Sequence, residues 1–238
     1  MQRNPRQTNI NGNSIKKIIS YLLLLLCVPT LIIIGNSVFA NKKYSFISIG
    51  IAVIACAAFF LSFEYGRHSS IKLVLTAAMT ALSVSGRFLF AMLPGFKPVT
   101  AIIIITALYF GAQAGFMTGA LTALISNIYF GQGPWTPFQM LAWGIVGLLG
   151  GILSGYLKKN KWLLLIYSAL AGILFSMIMD IWTVLWMDNS FNFPRYAAAL
   201  LGSAKSTLTY AVSNVIFISV LLLPTGRALE RIKEKYDI

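Results

Sequence analysis

Long apolar runs recur along this chain at close to the length of a bilayer-spanning helix. A helix needs about 20 apolar residues to cross the hydrocarbon core of a membrane. The predicted spans cover residues 18–38, 46–63, 72–93, 98–110, 112–130, 138–157, 162–187 and 205–223. The connections between them are too short for a separate soluble domain. The sequence therefore predicts an all-α polytopic membrane protein with eight spans.

The composition agrees with this fold class and argues against a nucleic-acid partner. The chain is 58% hydrophobic and 11% charged, whereas a soluble domain is roughly 25% charged. The net charge of +13 comes from cations that flank apolar spans, so the lipid bilayer is the expected partner. Cys27 and Cys56 lie inside predicted spans without metal-ligand spacing. We expect no metal and no cofactor.

The distribution of Lys and Arg predicts the orientation. With the N-terminus inside, the inner segments hold thirteen of these residues and the outer segments five, which places both termini in the cytoplasm. The expected location is a bacterial cell membrane. The predicted divisions are a cytoplasmic basic tail (1–17), two N-terminal transmembrane helices (18–71), a six-helix core (72–226) and a charged cytoplasmic tail (227–238).

Two parts of this topology allow an alternative. Span 98–110 would rise only about 20 Å as a helix, so the GAQAG turn at 111–115 could lie inside one long helix. That arrangement would move Lys158, Lys159 and Lys161 outside, so the charge rule favours a tight hairpin. The N-terminus resembles a signal peptide, but its apolar run is longer than usual. A retained helix is favoured.

Small residues form stripes on three predicted helices. The stripes are Gly111, Gly115 and Gly119, continued by Ala123; Gly147, Gly151 and Gly155; and Ala77 with Ala81. Residues at four-residue spacing share one helix face and let helix backbones approach closely in lipid. Packing between neighbouring helices is the expected role of the two glycine stripes.

Arg87 and Asp180 are the clearest ionisable residues within predicted spans. Such charges are costly in a membrane and usually face a cavity or a partner. Both fall in the outer half at comparable depth. Three roles remain open: an ion pair joining the third and seventh spans, direct contact with a substrate, or a proton relay.

The predicted outer loops are more elaborate than the inner ones. They read LPGFKPVT at 93–100, NIYFGQGPWTPFQ at 127–139 and MDNSFNFPRYAAALLGSA at 187–204, and hold five of the eight prolines. Proline lowers the entropy cost of ordering a loop. The loop at 127–139 is aromatic and free of charge. Longer, proline-containing loops on the outer side of the membrane alone are typical of a receptor that takes its ligand from outside.

Several activities find no support in the sequence. No GxxxxGK[ST] phosphate loop is present. The one histidine, His68, lies in a predicted inner loop, away from any membrane site. A membrane enzyme acting on lipid-linked substrates would need paired carboxylates, but Asp180, Asp188 and Glu64 are scattered. A solitary ion-coupled carrier remains an alternative, although two intramembrane charges are few.

The segments from Lys72 onward resemble the substrate-binding S components of energy-coupling factor (ECF) transporters. The resemblance covers residues 72–235 and is carried by KLVLTAAMTALSVSGRF, LPGFKPVT, FGAQAGFMTGALTALISN, FGQGPWTPFQMLAWGIVGLLGG and NFPRYAAALL. Within the family, the chain looks most like the branch that includes the cobalamin-specific S components. The two N-terminal helices depart from the six-helix core of the family.

The resemblance implies a mechanism without enzymatic chemistry. Such a subunit binds a vitamin-like micronutrient outside, docks onto a transmembrane coupling (T) subunit and releases its ligand inward when two ATPase subunits drive it. Ala77 and Ala81 would be docking residues. The substrate-binding residues would be Arg87, Lys97, Asn127, Tyr129, Gln132, Trp135, Phe138, Gln139, Asp180, Trp186 and Arg195. An aromatic, nearly uncharged mouth suits a bulky flat ligand such as a corrinoid, a flavin or a deazapurine.

Overall fold

The computed structural model describes Gly50 and residues 70–236 of the chain. The elements between residues 70 and 236 are all helices joined by short connections, as predicted for an all-α chain. In chain order the helices are α1 (Ser70–Leu89), α2 (Val99–Phe110), α3 (Ala112–Phe130), α4 (Thr136–Ile152), α5 (Ser154–Leu157), α6 (Lys161–Asp188) and α7 (Phe193–Tyr236). The predicted spans 18–38 and 46–63, apart from Gly50, lie outside the described residues.

Among residues 70–236, three helices are long and apolar enough to cross a membrane: α1, α6 and α7. Helices α2 and α4 are apolar but shorter, with 12 and 17 residues. The predicted spans 98–110, 112–130 and 138–157 correspond to α2, α3 and α4 to within a few residues, with α5 continuing the last of them. The total of eight spans and the cytoplasmic position of the termini stay predictions.

The chain reverses direction between α2 and α3, as predicted for the hairpin. Gly111 separates the two helices with φ of +92°, a backbone conformation that favours glycine. A Cβ built on Gly115 would lie only 2.5 Å from the Cβ of Ala107. Eight residues of continuous helix would separate these positions by about 12 Å. One long helix through this region is therefore excluded.

Helix α2 lies in the centre of the bundle. It contacts α1, α3, α4 and α7, and each of its residues except Tyr109 is buried. A helix that is apolar all round is buried all round, which explains why the run IIII in α2 has no polar face. The other helices are arranged around this short helix.

The two predicted glycine stripes meet in the contact between α3 and α4. A Cβ built on Gly115 would lie 2.6 Å from the carbonyl oxygen of Gly147, and one on Gly119 would lie 2.5 Å from the carbonyl carbon of Trp143. No larger residue fits at these positions without separating the helices. Gly155, by contrast, has no neighbour within 4 Å of a built Cβ and takes no part in the contact.

The prediction of an outer loop over 187–204 is wrong for most of its length. Helix α7 starts at Phe193 and continues for 44 residues. The side chain of Asn192 accepts a hydrogen bond from the backbone N–H of Arg195 at 3.3 Å, as an N-cap residue does. Pro194 in the first turn loses no helical hydrogen bond there. The helix therefore begins about one residue after a cap that the sequence already contains.

Candidate functional site

A polar network joins α1, α3 and α4 at one end of the bundle, which we call the Arg87 end. Arg87 lies in the last turn of α1, where the helix dipole favours a cation. Its guanidinium donates to the hydroxyl of Ser126 and to Oδ1 of Asn127 at 2.8 Å. The Asn127 amide in turn donates to Thr136 Oγ1 at 2.9 Å and to Gln139 Oε1 at 2.8 Å. One buried amide thus connects three helices.

Aromatic rings complete the surroundings of Arg87. Its Cζ lies 4.7 Å from the centroid of the Phe130 ring and 5.3 Å from that of Trp143. Lys97 Nζ lies 5.4 Å from the same Phe130 ring. The negative faces of these rings attract the cations. Arg87 is therefore held by neutral hydrogen-bond partners and π faces.

Asp180 does not pair with Arg87, so the ion-pair alternative is wrong. Its carboxylate accepts a hydrogen bond from Ser203 at 2.6 Å, joining α6 to α7. Within residues 70–236 the only ion pair within 4.0 Å joins Arg195 and Asp188, at 3.1 Å. Arg87 and Asp180 instead have separate hydrogen-bond partners. The Tyr210 hydroxyl lies within electrostatic range of both.

A small cavity of about 40 Å³ lies beside the network. Its lining includes Lys97 and Thr100 from the start of the α2 region, Trp143 from α4, and residues of α6 and α7. We call its three aromatic rings the aromatic wall; they are Trp143, Phe175 and Tyr210. Trp143 stacks on Phe175 at 5.0 Å with an interplanar angle of 18°, and Tyr210 meets Phe175 edge-on at 5.5 Å.

Lys97 brings a second cation to the cavity. Its backbone is fixed to α7, because its N–H donates to Ser213 Oγ at 2.9 Å and its carbonyl accepts from the same hydroxyl at 3.2 Å. Burial lowers the pKa of Lys97 below its usual value, and the charge of Arg87 lowers it further. The segment between α1 and α2 is thereby held over the cavity.

The polar residues proposed from sequence, other than the ion-paired Arg195, lie in four environments. Lys97 lines the cavity, and Arg87, Asn127 and Gln139 form the network beside it. Gln132 donates to the Leu124 carbonyl at 2.8 Å and accepts from Thr136, at the edge of that network. Asp180 is bonded to α7 as described.

The remaining aromatic candidates lie farther from the cavity lining. Trp135 is 40% exposed and Tyr129 74% exposed, and the Tyr129 ring packs edge-on against Phe88. Phe138 is buried in the core with its ring centroid 5.1 Å from that of Trp182. The ring centroid of Trp186 lies 5.2 Å from that of Trp182.

Several residues of the site were not identified from the sequence. Trp143 and Phe175 lie in strongly apolar helices, where an aromatic residue has the same pattern as any core residue. Tyr210 and Asn214 offered a signal, because polar-tipped residues four apart share a helix face. Both line the cavity, and Asn214 also donates to the Ser168 carbonyl at 3.1 Å.

The docking candidates Ala77 and Ala81 lie on the exposed face of α1. The opposite face of this helix buries Thr76, Thr80 and Ser83. A helix that exposes small apolar residues and buries hydroxyls suits lipid or another membrane helix as its neighbour.

Comparison with models of known protein families gives a match over most of the described chain. The family model described as ECF-type riboflavin transporter, S component, matches residues 67–231. Neither the curated proteins nor the solved structures gave a significant match. The family match covers more than half of the chain and includes the network, the cavity and all seven helices up to the last residues of α7. The chain therefore belongs to the family of ECF-type riboflavin transporter S components, and is a membrane-embedded substrate-binding subunit of an ECF transporter.

Proposed function

We propose that this chain captures a flat, vitamin-like ligand in the cavity beside Arg87 and delivers it to the cytoplasm when docked on an ATP-driven coupling module. A flavin is the ligand that we favour. The observation that carries this proposal is the aromatic wall, with Lys97 and Asn214 beside it in the same cavity. The printed description of the family, a riboflavin transporter S component, supports the same ligand class.

The chemistry of the cavity suits a neutral ring system with polar edges. A flat ring gains stacking energy against aromatic side chains. Lys97, Thr100 and Asn214 supply donors and acceptors for carbonyl and ring-nitrogen groups at the ligand edge. No described carboxylate lines this cavity, so a cationic ligand would lack a counter-charge. These properties favour a flavin, and they are also compatible with a deazapurine.

Ligand entry requires the Arg87 end to open. The cavity of about 40 Å³ is far smaller than the roughly 300–1,000 Å³ of typical ligand sites. The connections at 90–98 and 131–135 can move without breaking a helix. We propose that they move outward together, and that Lys97 returns over the ligand through its bonds to Ser213.

A corrinoid is the second candidate ligand. The resemblance to the cobalamin-type branch motivates it, and the exposed Trp135 and Tyr129 would extend the aromatic surface for so large a molecule. A corrinoid demands a much wider opening of the same end than a flavin does. The smaller ligand therefore requires less rearrangement of the observed packing.

Delivery depends on partners. We propose a transmembrane T subunit that contacts the Ala77 and Ala81 face of α1, and two ATPase subunits that supply the energy. The exposure of this face supports the role. Arg87 and Asp180 then act in binding and positioning, without an ion gradient.

Mass spectrometry of the small molecules retained by the purified full chain tests the ligand. We expect a flavin that is released on denaturation and displaced by added riboflavin. A retained corrinoid would support the second candidate. Failure to retain or bind either riboflavin or cyanocobalamin would contradict the proposal.

A further inference from the structure

A second cavity lies at the opposite end of the bundle from Arg87, which we call the Lys158 end. Its volume is about 430 Å³, within the range of small-molecule sites. It is bounded by α2, α5, α6 and α7. The ligand cavity beside Arg87 shares no lining residue with it, so the function proposed above does not account for it.

The walls of this cavity are apolar. Seven of its thirteen lining residues are leucine or isoleucine, among them Leu108, Leu164 and Ile218. Leu164 and Ile218 are buried, whereas Leu223 on the same wall is 63% exposed. The apolar lining therefore runs from the interior to the outer surface of α7, where hydrocarbon chains can continue along the helix.

The rim of the cavity is cationic. Lys158, Lys161 and Arg227 line it, with Glu230 as the one carboxylate among the lining residues. Lys158 Nζ lies 4.5 Å from the centroid of the Tyr109 ring. Lys233 adds a fourth cation close by, because its Nζ donates to the Tyr109 carbonyl at 3.4 Å.

The charges of Lys158 and Lys233 repel each other, and Glu230 offsets the repulsion only in part. Burial lowers the pKa of Lys158 below its usual value, the charge of Lys233 lowers it further, and Glu230 acts in the opposite direction. Glu230 also interacts with the Tyr109 hydroxyl, so its charge is shared. An anion placed between Lys158, Lys161 and Arg227 would relieve this repulsion.

We propose that the cavity at the Lys158 end binds an anionic phospholipid, with the phosphate among Lys158, Lys161 and Arg227 and the acyl chains along the leucines of α6 and α7. Basic pockets between membrane helices recognise anionic head groups in this way. A soluble phosphate compound would match the rim and leave the apolar wall without a partner. The same end carries most of the cations that the charge rule assigns to the cytoplasmic side, where anionic lipids are exposed to such residues.

Native mass spectrometry of the purified full chain in mild detergent tests this site. Dioleoyl phosphatidylglycerol and dioleoyl phosphatidylcholine are the lipid probes, and glycerol 3-phosphate is the water-soluble probe. We expect phosphatidylglycerol to be retained at least about fivefold better than phosphatidylcholine, since each cation near an anionic head group contributes a factor of about five. Glycerol 3-phosphate should not displace it.

Matched variants separate the site from general surface charge. Lys158→Gln with Arg227→Gln should reduce retention of phosphatidylglycerol by about tenfold or more. Lys159→Gln with Arg231→Gln removes two cations of the same end that do not line the cavity, and should change retention by less than about twofold. If the double variant does not fold, each single variant is tested instead. Each should reduce retention of phosphatidylglycerol by about fivefold.

Three results would overturn the proposal. The first is equal retention of phosphatidylglycerol and phosphatidylcholine, and the second is an equal loss of phosphatidylglycerol retention in the lining and control variants. The third is displacement of phosphatidylglycerol by glycerol 3-phosphate, which would indicate a site for a soluble phosphate. Riboflavin binding by the same variants should be unchanged. A loss of riboflavin binding with normal lipid retention would count against the ligand assignment alone.

Discussion

Arg87 shows how a partly buried cation is accommodated without a carboxylate. Two neutral acceptors, Ser126 and Asn127, take its N–H groups, while Phe130 and Trp143 present their rings. Removing a partner from such a group leaves a buried donor unsatisfied, and that costs more than the bond itself contributes. Asn127 is the member of the network on which most of these bonds depend.

We expect Asn127→Ala to lower the free energy of unfolding by about 1–3 kcal/mol, because Arg87, Thr136 and Gln139 each lose a partner. Thermal unfolding in detergent, followed by circular dichroism, measures the change. Lys205→Ala is the control: this side chain is exposed on α7 and caps no helix, so little or no loss is expected. Equal losses in the two variants would show that the network contributes little.

The residue types of the site were predictable from the sequence, but their partners were not. Arg87 and Asp180 were identified because charges are rare in apolar spans. Which side chains meet depends on the rotation of each helix about its axis, and this rotation is set by packing across several helices. The rotation of α3 about its axis therefore places Asn127 next to Arg87, and the rotation of α7 places Ser203 next to Asp180.

At the scale of elements, the contact between α3 and α4 is the most extensive in the described part of the chain. Its geometry depends on glycine, because main chains touch there. We expect Gly119→Ala to reduce the free energy of unfolding by about 1–3 kcal/mol through overpacking. The same substitution at Gly155, where a Cβ meets nothing within 4 Å, should be neutral or stabilising. Thermal unfolding of both variants measures the difference. Equal changes at Gly119 and Gly155 would show that the close contact at Gly119 does not require glycine.

The exposed small-residue face of α1 has a predicted role in assembly. Ala77→Leu with Ala81→Leu should abolish uptake while leaving ligand binding unchanged, because larger side chains prevent close approach of a partner helix. Ala198→Leu with Ala204→Leu enlarges two exposed alanines of α7 and should leave uptake intact. Uptake and binding assays on both pairs are compared. Loss of binding in the α1 pair would place this face in the ligand site instead.

Helix boundaries were predictable where the sequence carries a cap. The turn at Gly111 and the start of α6 at Asn160, whose side chain accepts from the N–H groups of Trp162 and Leu163, follow local signals. The early start of α7 was missed because its first turns were read as part of an aromatic, proline-containing loop. The central position of α2 could not be predicted, since no local pattern states which apolar helix the others surround.

At the scale of the whole molecule, the energy for transport is proposed to come from other subunits. We expect riboflavin uptake by proteoliposomes only when the chain is combined with its coupling subunit and ATPases and supplied with ATP. Uptake by the chain alone, driven by an ion gradient, would instead support the solitary carrier. The orientation is checked on the same vesicles by protease access to the charged segment at 227–236, which should be cytoplasmic.

The central claim is that the cavity beside Arg87 holds a flat ligand against the aromatic wall. Fluorescence titration of riboflavin into the purified full chain and into Trp143→Leu tests it most directly. We expect saturable binding that Trp143→Leu weakens by about tenfold or more, while Trp162→Leu, which removes an indole that is 76% exposed and far along the chain from the site, leaves it unchanged. Equal affinities in wild type and a folded Trp143→Leu variant, or no saturable binding at all, would contradict the account.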